Sequence, residues 1–309
     1  MGLVIISKKH NQGDWEKVLK ELEPGLDVSI YPNDVKREEV EFALVWHPPL
    51  GVFDEYPNLK CIASTGAGVD HILKDPNLPK GIILTRVVDP LLTQDMTSYL
   101  LAQVMCHTRN VSHYKLLQTK NEWQPKRYLD KTKTSIGIMG FGELGRDAAD
   151  KFKHLGFNVI GWANSTKNID GIKVFVGNEE FNSFLNKSDI LICLLPLTPD
   201  TINILNSSTF EQLPQGAFII NVARGEHLVV DDLIAAIDEG KLAGACLDVF
   251  REEPLPKDHI FWRHPRVTVT PHIASITSPE SVAPQIIDNY RRLREGKPLK
   301  NIVSIEKGY

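Results

Sequence analysis

Short apolar runs rich in β-branched residues alternate with stretches of helical periodicity along most of the chain, the pattern of an α/β protein with mainly parallel strands. The runs predict strands near 2–6, 42–46, 60–64 and 82–84, and a second set near 135–139, 158–162, 189–194, 217–220, 243–246 and 267–269. Between the sets, Met96, Tyr99, Leu100 and Val104 follow helix spacing and predict an amphipathic helix over about 92–112, a natural connector between two sheets. The polar stretch 118–134, with Pro125 inside it, reads as a surface segment ahead of a fresh βαβ start. Further on, Ser278 and Pro279 form an N-cap followed by proline at the first helical position, and Val282, Ile286, Tyr290 and Leu293 carry an apolar face up to Gly296. This helix is expected to return to the first domain. No repeat is visible at periods of about 20 to 50 residues.

A length of 309 residues exceeds the size at which one core usually keeps growing, so two domains are expected. The first comprises 1–100 and 285–309 and the second 101–284. A hydrophobic share of 42% and a charged share of 24% are ordinary for a globular chain. With a net charge of −4 and Lys and Arg scattered through both halves, no nucleic-acid partner is expected. The apolar run Leu3 to Ile6 is too short for a signal-peptide core, and no segment approaches a bilayer span, so no membrane association is expected either. Cys61, Cys106, Cys193 and Cys246 lie far apart in apolar stretches, which suits buried reduced thiols better than a disulfide framework or a metal cluster. No metal is expected, and the cytoplasm is the expected compartment.

The strongest local motif runs from Thr134 to Phe157, a strand that enters Gly140, Gly142 and Gly145 and continues as a helix with apolar positions Leu144, Ala148, Phe152 and Leu155. Gly140 permits the tight turn, Gly142 lets the backbone approach a pyrophosphate, and Gly145 lets helix pack close on strand, so the helix N-terminus faces an anion. Glycine-rich turns occur in many folds; here the strand before, the helix after and the next strand supply the context of a dinucleotide site. An NAD enzyme usually places Asp or Glu at the end of that next strand, to hold the ribose hydroxyls. This chain has Asn164, Ser165, Thr166 and Lys167 there, and no carboxylate until Asp170. With no anion to repel a 2′-phosphate and with donors and one positive charge available, NADPH (NADP) is expected to be preferred and NADH (NAD) to be possible. The plainer alternative is that these are ordinary loop residues, since Lys is a looser phosphate ligand than Arg.

Three later pieces carry candidate chemistry: NVARGEHL at 221–228, LDVFREEPLP at 247–256 and TPHIAS at 270–275. Hydride delivery from a dinucleotide to a carbonyl needs a cation to orient and polarise the acceptor, a proton donor for the developing alkoxide, and a group that tunes the donor. Arg224 and His272 each follow an apolar strand, at the carboxyl end where ligands bind in open α/β sheets. Glu253 precedes Pro254 in a loop and is expected to pair with His272 and favour its imidazolium. Taken singly, each has a bland alternative: a surface ion pair for the Arg, a solvated Glu, a bystander among ten His, of which His47 and His71 are the other candidates. Asp248 ends a strand-like run and is a candidate either to orient the nicotinamide carboxamide or to be a buried structural carboxylate.

With these motifs in order, together with LVWHPP at 44–49, STGAGVDHIL at 64–73 and the closing KGY, the chain resembles the D-isomer-specific 2-hydroxyacid dehydrogenase family over almost its whole length. The resemblance implies two Rossmann/flavodoxin-like domains with parallel sheets, the active site in the cleft between them, and a homodimer joined through the nucleotide domains. It implies that Arg224 binds substrate, that Glu253 and His272 form the acid pair, and that His272 protonates the carbonyl oxygen. It further implies that the amides of Ala67 and Gly68 hold the substrate carboxylate and that Trp46 caps a pocket of glyoxylate or hydroxypyruvate size, unless Trp46 is simply core. Leu195, Pro196 and Thr198 resemble the loop beside the adenosine, and Glu143, Leu144, Val222, Ala223, Arg224, Asp248, His272 and Ala274 complete the implied cofactor contacts. Many relatives carry Arg where this chain has Glu143, an anion that opposes a pyrophosphate unless it faces solvent or pairs with Arg146. A second class stays open: a dinucleotide-sensing binding protein or corepressor on the same scaffold, which would bind the cofactor without turnover.

Overall fold

The computed structural model describes residues 2–8, 12–33, 36–167 and 169–309. The chain divides into two compact units, Met1–Leu92 with Thr277–Tyr309, and Thr93–Ile276. The sequence placed these exchanges at 100/101 and 284/285.

In the first unit, β1 (Gly2–Ser7), β2 (Asp27–Ile30), β3 (Val40–Trp46), β4 (Cys61–Ser64) and β5 (Ile83–Thr85) form a parallel sheet in the order β2-β1-β3-β4-β5. A parallel sheet covered on both faces needs nearly continuous apolar strands, and Leu3, Val4, Ile5 and Ala43, Leu44, Val45 are fully buried in β1 and β3. α1 (Gln12–Leu22) buries Trp15 and Leu19 on one face. The four-residue turn of helix α2 (Asp70–Leu73) follows the glycine-rich loop after β4.

The boundary between the units falls within α3 (Pro90–Thr108), whose face of Met96, Leu100 and Val104 is buried as its spacing predicts. The sequence carried this helix to 112. Asn110 instead adopts the left-handed conformation, φ 57°, and a second helix, α4 (Val111–Thr119), starts after it. Asn tolerates that conformation better than most residues, which makes it a chain reverser that apolar periodicity does not reveal. From 118 to 133 every residue is exposed.

The second unit continues with β6 (Ser135–Met139), α5 (Glu143–His154), β7 (Asn158–Ala163), β8 (Lys173–Val176), α6 (Phe181–Leu185), β9 (Ile190–Cys193), α7 (Ser207–Gln212), β10 (Ala217–Asn221), α8 (Val230–Asp238), β11 (Leu242–Leu247) and β12 (Val267–Val269). The strands form a parallel sheet in the order β12-β11-β10-β9-β6-β7-β8. Successive side chains alternate between two cores: Met139, Leu191, Ile219 and Ala245 enter one, Ile138, Ile190, Ile220 and Cys246 the other. Strand order reverses between β6 and β9, the point at which an open α/β sheet leaves a crevice outside its strand ends.

All ten strands expected from the sequence are present within a residue or two of their expected limits. β2 and β8 were not expected. Both are four-residue edge strands whose outer side stays partly exposed, so neither carries a strong apolar run. Two further expectations are corrected. Leu155, expected on the buried face of α5, is 37% exposed, because the helix ends at His154 and the chain turns at Gly156 with φ 85°. Ser278 stands at the N-cap of α9 (Pro279–Arg294) with Pro279 after it, but its hydroxyl donates to Glu280 Oε2 at 2.6 Å instead of accepting from a helix amide.

α9 rejoins the first unit and packs against α1, with Arg291 bonded to Glu23. Beyond it, Val303 N donates to Leu84 O at 2.8 Å and Arg86 N to Asn301 O at 3.1 Å, so residues near 302 extend the β5 edge as an antiparallel bridge. Among the described residues no helix is long and apolar enough to cross a membrane.

Candidate active site

The glycine-rich turn of the second unit joins β6 to α5. Gly140 has φ 97°, and a Cβ built there would lie 2.6 Å from the Leu194 carbonyl oxygen; one built on Gly145 would lie 2.2 Å from the Gly140 oxygen. Both positions therefore exclude a side chain. Gly142 differs: a Cβ there would meet nothing within 4 Å, so its missing side chain leaves open space directly at the N-cap of α5. Among the described residues no side chain caps this end of the twelve-residue helix. The first amides of α5 thus face a cradle free of protein, which suits a pyrophosphate. Glu143 and Arg146 are both exposed, so the acidic residue in the turn faces solvent. Leu144 packs partly buried against the core.

After β7, Asn164, Ser165 and Thr166 are exposed and Lys167 is half-buried. The first carboxylate beyond them, Asp170, is engaged by Lys153, whose Nζ donates to the Asp170 carbonyl oxygen at 2.6 Å. On the other side of the switch point, Leu195, Pro196 and Thr198 follow β9. Their loop is tied down by Thr201, whose Oγ1 accepts from Thr198 N at 2.9 Å and donates to Pro196 O at 2.8 Å. His227, fully buried, sets Nδ1 at 2.8 Å from Thr201 O and Nε2 at 3.1 Å from Leu195 O, joining this loop to the turn that carries Arg224.

Arg224, Glu253 and His272 follow β10, β11 and β12, three adjacent strands, at the same edge of the sheet. Asn221 shapes the first turn by accepting from Ala223 N at 3.2 Å and donating to Arg224 O at 2.9 Å, while Val222 and Ala223 are buried. Gly225 allows this turn to press onto the chain at Phe250, where any Cβ would meet backbone at 1.9 Å. Glu253 accepts Phe250 N at 3.0 Å through Oε1 and lies 2.8 Å from His272 Nδ1 through Oε2. Both side chains stay accessible, at 31% for His272 and 37% for Glu253. Burial pushes the Glu253 carboxyl up, but the hydrogen bond from His272, the Phe250 amide and the positive charges of His272 and Arg224 outweigh it and hold the group below the usual carboxylate range.

Asp248 is buried and accepts three hydrogen bonds, from Thr270 Oγ1 at 2.5 Å, Ile273 N at 3.0 Å and Ala274 N at 2.8 Å. It thereby binds both flanks of His272, which has φ 54°. Thr270 also lies 2.6 Å from the Tyr99 hydroxyl. Neither Tyr99 nor Thr270 stood out in the sequence as a site residue, because α3 and β12 come together only through the sheet.

In the first unit, Trp46 ends β3 and covers the glycine-rich loop after β4: a Cβ on Gly66 would fall 2.4 Å from its ring. The other two candidate histidines, His47 and His71, pack on this indole at ring separations of 5.1 and 4.5 Å. Buried Ser64 accepts from Gly66 N at 3.1 Å and donates to Gly68 O at 2.8 Å, which closes the loop. Among the described residues the amides of Ala67 and Gly68 meet no acceptor.

Residues 101–274 match the sequence pattern of the NAD binding domain of D-isomer specific 2-hydroxyacid dehydrogenases. Glyoxylate/hydroxypyruvate reductase A of Serratia proteamaculans is 41% identical over 315 aligned positions that cover 100% of both chains. The chain belongs to the D-isomer specific 2-hydroxyacid dehydrogenase family. A family member from Xanthobacter autotrophicus, crystallised with NADPH and MES, superposes with a TM-score of 0.95 at 39% identity, covering 100% of this chain and 99% of that one. The NADPH-dependent glyoxylate/hydroxypyruvate reductase of Sinorhizobium meliloti, crystallised with NADP and sulfate, gives a TM-score of 0.93 at 35% identity over 100% and 99% of the two chains.

Proposed function

We propose that this dehydrogenase reduces small 2-keto acids of glyoxylate and hydroxypyruvate size to 2-hydroxy acids, with NADPH preferred over NADH. The observation that carries the reading is the His272–Glu253 pair at 2.8 Å, with Arg224 on the neighbouring strand end. The bound dinucleotide supplies the hydride. Glu253, held ionised, accepts a hydrogen bond from Nδ1 of His272, so the proton that leaves is the one on Nε2. His272 delivers it to the carbonyl oxygen as negative charge gathers there. Arg224 pairs with the substrate carboxylate and polarises the carbonyl. In the first unit, the unengaged amides of Ala67 and Gly68 suit a carboxylate oxygen and Trp46 limits substrate length.

Gly140, Gly142, Glu143, Leu144 and Gly145 form the pyrophosphate turn, and Asn164, Ser165, Thr166 and Lys167 receive the 2′-phosphate. Leu195, Pro196 and Thr198 lie beside the adenosine, and Val222, Ala223, Arg224, Asp248, His272 and Ala274 complete the cofactor contacts. The absence of a carboxylate at the end of β7 and the NADPH and NADP bound by the Xanthobacter and Sinorhizobium relatives support the cofactor preference. The domain assignment follows: 1–100 with 285–309 for substrate, 101–284 for dinucleotide. A homodimer and a cytoplasmic location belong to the same proposal. The dimer is supported by the apolar side chains exposed along 105–129, among them Tyr114, Tyr128 and Trp123, the last 96% exposed. The location is supported by four cysteines without disulfides.

Oxidation of NADPH and of NADH, followed at pH 7 with glyoxylate, hydroxypyruvate and longer 2-keto acids, tests the reading. The two short acids with NADPH are expected to give the highest kcat/KM, and equal efficiency with NADH would refute the preference. His272→Gln should lower kcat by ~10²–10⁴ while cofactor still binds. Cofactor binding without turnover on any 2-keto acid would instead mark a dinucleotide sensor.

A further inference from the structure

We propose that Tyr99 and Thr270 are positioning residues for His272, forming a half-buried chain of hydroxyls that fixes the backbone turn on which the imidazole stands. The inference rests on His272 as the proton donor and adds two residues to which no role was assigned, Tyr99 outside the motifs and Thr270 at the start of TPHIAS.

His272 sits at φ 54°, a conformation that L residues adopt only when their surroundings over-determine it. Those surroundings converge on one carboxylate. Asp248, 1% exposed, holds the Thr270 hydroxyl before the turn and the amides of Ile273 and Ala274 after it. Within the turn, His272 N donates to Thr270 O at 3.0 Å, so the orientation of Thr270 is passed directly to the histidine backbone.

The direction of the chain follows from counting protons. Thr270 has one hydroxyl hydrogen and spends it on Asp248 at 2.5 Å. The 2.6 Å contact between Tyr99 and Thr270 must then have the phenol as donor. Burial raises the Tyr99 pKa, keeping that proton in place. The phenol oxygen in turn lies 3.2 Å from Cys246 Sγ, and burial pushes this thiol up to about 12, so it remains an S–H donor. Cys246, Tyr99 and Thr270 are thus donors in series, all aimed at Asp248, and each bond polarises the next. Because Tyr99 belongs to α3, the turn after β12 is anchored to a helix of 19 residues as well as to its own strand.

The test compares Tyr99→Phe, Thr270→Val, Thr270→Ser and His272→Gln in NADPH-dependent glyoxylate reduction across pH. Tyr99→Phe and Thr270→Val are expected to lower kcat roughly tenfold, since small displacements of a proton donor carry large rate penalties. They should also change the pH profile of kcat, because the turn that holds His272 at 2.8 Å from Glu253 is loosened. Thr270→Ser keeps the hydroxyl and should restore both kcat and profile. If Thr270→Val does not fold, Tyr99→Phe, which removes one oxygen from an otherwise unchanged ring, decides alone. A reduced kcat with an unmoved pH profile, or no reduction at all, overturns the inference. If His272→Gln itself keeps full turnover, the proton-donor reading falls and this inference with it; if His272→Gln is inactive while Tyr99→Phe matches the parent enzyme, only the inference falls.

Discussion

Gly140 and Gly142 stand two residues apart and fail differently when substituted. At Gly140 the left-handed backbone costs an L residue about 1–2 kcal/mol, and the new Cβ also meets a fixed carbonyl at 2.6 Å. Gly140→Ala should therefore lower the melting temperature as well as cofactor affinity. At Gly142 a Cβ enters space that the protein leaves open. Gly142→Ala is expected to melt with the parent protein but to bind NADPH on the order of tenfold more weakly, about 1.4 kcal/mol, measured by fluorescence titration. Equal affinity would show that no ligand approaches there. These glycine roles were legible in the sequence, because a fixed spacing between a strand and a helix states which position turns, which opens and which packs. The Tyr99–Thr270 bond was not: its partners are 171 residues apart, and a hydroxyl carries no periodicity.

At the scale of elements, apolar patterning located each strand that the sheets bury on both faces and missed β2 and β8, whose exposed side lets polar residues in. It also ran α3 past its true end, since the Asn110 reversal is a local backbone event. α3 carries a testable charge effect. His107 stacks on Phe218 with ring centroids 4.0 Å apart, and burial, helped by the charge of Lys126, lowers its pKa to about 4 from an ordinary 6.5. The unfolded chain thus takes up this proton at higher pH than the folded one, so the contribution is complete above about pH 6.5 and is lost as pH falls toward 4. Melting temperatures between pH 7 and 4 should fall with acid, and His107→Gln should flatten that slope; an unchanged slope would assign acid lability elsewhere.

At the scale of the whole molecule, the first claim to check is assembly. Light scattering should give about twice the 34.7 kDa chain mass for the parent protein and the single mass for a Trp123→Asp, Tyr128→Asp variant. A monomeric parent would end the homodimer proposal. The division into two units was anticipated from length and from the long helix at the boundary, and so was the return of α9 to the first unit, whereas its packing on α1 carries no signal in the sequence. That return has a consequence for biosynthesis. A ribosome releases residues 1–92 early, yet their sheet lacks the covering helix and the edge bridge contributed by 277–309 until those residues emerge. The central stretch 93–276 has all its strands available sooner, so the nascent polypeptide is expected to complete its middle before its beginning, with the side of α1 that α9 covers left open during the interval.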